Sequence, residues 1–156
     1  MFERLFRLAL PEPKIIRECE GDAPMLERFT LVRTPWGSLR LHHFVRGDDD
    51  RATHDHPWSY LTFVLAGGYV EIRPSRSVRA LVSIGSALST SRLIEATLER
   101  FRVRPGMLLW RPAWWIHRVE LSPGRDAWTI VWMSKKSREW GFFAPTGWMH
   151  WREYHG

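Results

Sequence analysis

From Leu26 to Met133 the chain is built mostly of short runs in which apolar and polar residues alternate, each closed by a turn signal. Such a rhythm buries one face of a strand at a time and leaves little room for helix. Phe29-Thr30-Leu31-Val32 leads into the turn-prone Thr34-Pro35-Trp36-Gly37-Ser38 and then the run Leu39 to Val45. In that run Leu39, Leu41, His43 and Val45 share one face, and Arg40, His42 and Phe44 share the other. Thr62 to Leu65 and Tyr69 to Ile72 form two strands joined tightly at Gly67-Gly68. Arg100 to Val103, Met107 to Arg111, His117 to Leu121 and Trp128 to Met133 continue the series, separated by Pro- and Gly-containing breaks. The expectation is an all-β sandwich or barrel in a single domain spanning residues 1–156, with no repeat and no linker.

Two segments depart from this pattern. Phe2, Leu5, Phe6 and Ala9 stand at helical spacing, which predicts a short N-terminal helix ended by Pro11 and Pro13. Residues 74–98 are rich in serine and small side chains between Ser75 and Ser91, as a mobile hairpin or lid would be, and Leu93 to Leu98 reads equally as helix or strand.

Composition narrows the function classes. A single cysteine, Cys19, forms no internal disulfide, and no apolar stretch is long enough to span a bilayer. The expectation is a soluble cytoplasmic protein with no membrane partner. Of the 23 basic residues 20 are arginines, giving a net charge of +6. The arginine fork pairs bidentately with carboxylate or phosphate, so a small anionic ligand is expected. No run of five or six consecutive basic residues marks a nucleic-acid tail, which ranks nucleic acid below a small molecule as partner. Ten tryptophans suit half-buried strand surfaces and covered edges, including those of a homodimer.

The chemistry-bearing residues are histidines. His54 and His56, one residue apart, point to the same side of an extended chain, and His117 follows in Pro112-Ala113-Trp114-Trp115-Ile116-His117. Three neutral imidazoles converging on one point bind a divalent metal and leave positions open for water, oxygen or substrate. Alternation sends Asp55 to the opposite side, where it reads as a surface or capping carboxylate. His42 and His43 lie on a neighbouring strand, and only one of them can face the same space. His43 is taken as a candidate acid/base. Glu71 reads as a further ligand, an acceptor for an imidazole N–H, or a surface residue. Arg111, Arg40, Arg73 and Arg102 are candidates to pair with an anionic substrate, whereas Arg118 points away.

With both histidine segments in view, the chain resembles the cupin superfamily, and in particular its small bacterial and phage-type members. Gly47, His54, His56 and Gly67 fit the spacing of the first cupin motif; Gly106, Pro112 and His117 fit the second. The glutamate of the first motif is replaced by Tyr60 (by Leu61 on the longer spacing), the second glycine of the second motif by Trp114, and its asparagine by Leu121. The resemblance implies a cupin jelly-roll barrel, a double-stranded β-helix, with His54, His56 and His117 as metal ligands and Tyr60 beside them as a catalytic candidate. Three-histidine cupin centres resemble those of dioxygenases that use iron(II). The leading expectation is therefore an iron(II)-dependent oxygenase acting on a small polar or anionic molecule. Two rivals remain: a zinc- or nickel-type isomerase, lyase or hydrolase, and a protein that binds a nucleotide or sugar phosphate without turnover. The aromatic stretch from Lys135 to Tyr154 is expected to close one mouth of the barrel or to form a dimer contact.

Overall fold

The computed structural model describes residues 10–17, 23–48, 52–83 and 91–154. Their strands are β1 (Lys14–Ile16), β2 (Leu26–Thr34), β3 (Gly37–Phe44), β4 (Tyr60–Ala66), β5 (Tyr69–Pro74) and β6 (Leu98–Val103). The series continues with β7 (Leu108–Arg111), β8 (Arg118–Glu120), β9 (Ala127–Ser134), β10 (Gly141–Ala144) and β11 (Gly147–His150). A six-stranded antiparallel sheet runs β1-β2-β3-β9-β4-β7, a three-stranded one runs β6-β5-β8, and β10-β11 is a separate hairpin. Residues of the two larger sheets and of the hairpin together line one cavity of about 630 Å³.

Alternation places the side chains. Along β9, Ala127, Thr129, Val131 and Met133 are buried, while Trp128, Ile130, Trp132 and Ser134 are only half-buried. The link between β4 and β5 needs glycine: Gly67 has φ 71°, and a Cβ there would lie 1.9 Å from the Asp126 carbonyl oxygen. Both the backbone region and the contact exclude an L side chain. Gly67→Ala is expected to cost roughly 2–3 kcal/mol in a thermal or urea melt, whereas an unchanged midpoint would contradict this local geometry.

Residues 76–83 correct the hairpin-or-lid expectation, and residues 91–96 take the helical one of the two alternatives read for Leu93 to Leu98. They form helices α1 (Arg76–Ser83) and α2 (Ser91–Ala96). Val78 and Ile94 are buried against Ile116, with Val82, Leu93, Leu98 and Phe143 around them. The four-residue step from Val78 to Val82 supplies the apolar stripe that serine content obscured. The predicted N-terminal helix at Phe2 to Ala9 and Cys19 lie outside the described residues. No helix among the described residues is long and apolar enough to cross a membrane.

Candidate metal centre

Backbone pairing assembles the histidines. His54 N–H donates to the His117 carbonyl (2.9 Å) and His117 N–H returns the bond (3.1 Å), while His56 N–H donates to the Ala113 carbonyl (2.9 Å). The two segments thereby sit side by side, although 61 residues separate His56 from His117. One ring nitrogen from each of His54, His56 and His117 lies within 4.8 Å of the others. The Nε2 atoms of His56 and His117 are 2.9 Å apart. Adjacent imidazole ligands at about 2.1 Å from a metal are separated by roughly that distance.

The protonation states suit the same role. The carboxylate of Glu71, only 1% exposed, lies with Oε1 2.8 Å from His117 Nδ1. An ionised carboxylate only accepts, so Nδ1 of His117 donates to it and Nε2 is the nitrogen left facing the cluster. Burial pushes the Glu71 carboxyl up, but the His117 and Arg111 partners outweigh it and hold it well below the usual range. Arg111 donates to Glu71 through Nε (3.0 Å) and Nη2 (2.5 Å), and Trp115 Nε1–H adds a bond of 2.8 Å. The Arg111 guanidinium also lies over the Trp115 ring, 4.3 Å from its centroid. Burial, followed by the charges of His117, His54, Arg28 and Arg111, keeps His56 neutral by pushing its imidazole well down. Both the spacing and the donor chemistry therefore fit a divalent metal.

Tyr60 faces this cluster. Its hydroxyl is 3.3 Å from Nε2 of both His56 and His117. Burial, then Glu71 and Tyr69, raises its phenol well above the ordinary value, so it stays protonated. Asp55 is buried, not a surface group: it accepts the Gly141 N–H (2.8 Å) and pairs with Arg138 (2.9 Å). It thus ties hairpin β10-β11 to the histidine segment, and Trp140, Phe142, Trp151 and Tyr154 bring that hairpin's end of the chain onto the cavity wall.

His43 corrects the acid/base expectation. Its ring lies flat on Trp128, 3.9 Å between centroids, with Nδ1 2.8 Å from Glu27 and Nε2 2.8 Å from Asp126. It does not line the cavity; its neighbour His42 does. Of the proposed substrate arginines, Arg111 is committed to Glu71 and Arg73 reaches Glu99 (3.2 Å); Arg118, expected to point away, pairs with Glu120 (3.3 Å). Arg40 and Arg102 do not line the cavity. Arg17, Arg28 and Arg46 line the cavity and were passed over by sequence reasoning; of these, Arg28 lies in register with His42. Its signal was a charged residue in register on a strand face shared with buried Leu26.

No protein-family model matches the chain, and no curated protein matches its sequence. Solved structures do match its fold. HppE in its iron(II) form superposes with a TM-score of 0.52 at 14% identity, covering 79% of this chain and 56% of HppE. The polyketide cyclase RemF from Streptomyces resistomycificus gives 0.53 at 16% identity over 85% of this chain and 79% of RemF. KdgF from Halomonas sp. gives 0.50 at 16%, covering 81% and 88%. The fold is that of a cupin. The chain spans little more than half the length of HppE. Its β architecture agrees with the sequence expectation, and its barrel carries the three histidines on the inside wall.

Proposed function

We propose that this cupin is a metalloenzyme in which His54, His56 and His117 hold one divalent ion, iron(II) in the leading case, and that it oxygenates a small anionic molecule. The observation that carries this reading is the Glu71–His117 pair facing His56, which sets the two Nε2 atoms 2.9 Å apart, at ligand spacing, inside a cavity. Iron(II) held there supplies activation of oxygen and substrate at the positions the histidines leave open. The chain's own residues do the rest. Glu71 orients His117, and Arg111 and Trp115 hold Glu71. Tyr60 keeps a proton at its hydroxyl beside the reacting space. The apolar wall, including Phe142 and Met133, excludes water. HppE is an iron(II) protein by its name, which supports iron without deciding it.

Tyr60 also favours a second reading, because a protonated phenol beside two ligand nitrogens is an acid for a zinc- or nickel-dependent isomerase, lyase or hydrolase. Assay under strict anaerobiosis separates the two. Turnover of a ligand captured from cell extract stops without oxygen in the first case and continues in the second. A ligand recovered unchanged in both atmospheres supports the binding protein instead. Tyr60→Phe is expected to lower turnover at least tenfold with metal content unchanged; loss of the metal instead would make Tyr60 a structural part of the site.

The expected homodimer has its most suitable surface on the outer face of β9-β4-β7. There Phe63 pairs across to Leu108 and Leu61 to Trp110, and Leu108 and Trp110 are 62% and 57% exposed. Sedimentation velocity is expected to show a dimer that Trp110→Glu converts to monomer, and a dimer unaffected by that change would place the interface elsewhere.

A further inference from the structure

One row of the large sheet carries polar groups that the metal site does not use. Lys14, Arg28, His42 and Thr129 are successive register partners across β1, β2, β3 and β9. All four line the cavity that holds the histidines. A row of polar side chains on an inner wall is costly unless something satisfies it. Here Nε of Arg28, Nε2 of His42 and Oγ1 of Thr129 are each enclosed without a hydrogen-bond partner among the described residues.

Among the described residues no carboxylate pairs with the cations of this row. The acidic residues on the cavity wall are Asp48 and Glu71. Glu71 is taken by Arg111, His117 and Trp115, and Asp48 accepts the Val119 N–H and lies 3.5 Å from His54. Burial, then the charge of Arg40, lowers Arg28 to about 10, so it still carries its charge near neutrality. Arg28 lines the same cavity as His54, His56 and His117. A half-buried arginine on a cavity wall, with no counter-ion among the described residues, is suited to a ligand's anion.

Resting on the metalloenzyme reading of the same cavity, we propose that Lys14, Arg28 and His42 form a subsite for the phosphate-type oxyanion of a small phosphorylated or phosphonate-bearing ligand, whose remainder extends toward His54, His56 and His117. Two cations and neutral donors in one row match a dianion with three acceptor oxygens. A monocarboxylate would be satisfied by the single fork of Arg28.

The test titrates inorganic phosphate, with acetate as the comparison, into the full chain, both metal-loaded and treated with chelator, using tryptophan fluorescence and calorimetry. Arg28→Met is expected to weaken phosphate about tenfold or more, Arg28→Lys by less, and His42→Phe about threefold. Acetate is expected to bind about tenfold more weakly than phosphate. Arg28→Met should melt no lower than the wild type, because it removes a half-buried cation that has no carboxylate partner among the described residues, so its loss of binding is not a loss of fold. Arg28-dependent phosphate binding that survives chelation supports the subsite even if the metal assignment fails. Binding that disappears on chelation and ignores Arg28→Met places phosphate on the metal and overturns the subsite while leaving the metal reading intact. A preference for acetate, or no phosphate binding in either state, overturns it as well.

Discussion

Glu71→Ala is expected to lower the thermal midpoint by roughly 6–15 °C and to weaken metal binding 10- to 100-fold. The carboxylate is almost completely buried and receives bonds from Arg111, Trp115 and His117. Removing it strands the Arg111 guanidinium in the wall, and an uncompensated buried charge costs about 3–5 kcal/mol. It also releases the His117 ring from the orientation that presents Nε2. Glu71→Gln separates the two effects. Its amide oxygen still accepts from His117 Nδ1–H, so metal affinity falls less than in the alanine variant, while the stability loss from an unpaired Arg111 largely remains. Calorimetric melts with metal titrations check both quantities. An alanine variant that matches the wild type in both would show that Glu71 supports neither Arg111 nor His117.

Metal removal is the second large effect. A ligand that binds only the folded state stabilises it by about 2.7 kcal/mol at a hundred times its dissociation constant. For a chain of this size that is roughly 5–10 °C. Chelator treatment is therefore expected to lower the midpoint by that amount, with recovery on re-addition of iron(II) under anaerobic conditions. The effect should vanish in His117→Ala, which removes one donor and leaves Glu71 to Arg111. A midpoint indifferent to chelator and metal in the wild type would argue against any ion held by the folded barrel.

The β architecture was legible because period-two alternation is a local property: the strands at Thr62 to Leu65, Tyr69 to Ile72 and Trp128 to Met133 lie where the pattern put them. The pairing of His54 and His56 with His117 was legible because the two segments resemble the two cupin motifs in order and register. Which face of β3 turns inward was not. Its two faces were separated correctly, with His43 on one and His42 on the other. Yet Leu41 and His43 on one side and His42 on the other are all buried, so neither face announces itself as the outer one. Trp128 covers His43, and that contact depends on β9, some 85 residues further along the chain. Arg28 was missed for a related reason. Only the register of β2 on β3 sets it beside His42, and no local pattern encodes that register. Helix α1 was hidden by serine content, although Val78 and Val82 stand one helical turn apart, and α2 was left open between helix and strand.

The central claim is that three histidine nitrogens at mutual ligand distance hold one ion. Metal content per chain, measured by plasma mass spectrometry on protein loaded anaerobically and desalted, tests it most directly. The wild type should retain about one divalent ion per chain, and the His54→Ala/His117→Ala double variant, folded by circular dichroism, should retain almost none. Full occupancy in the double variant would contradict the account.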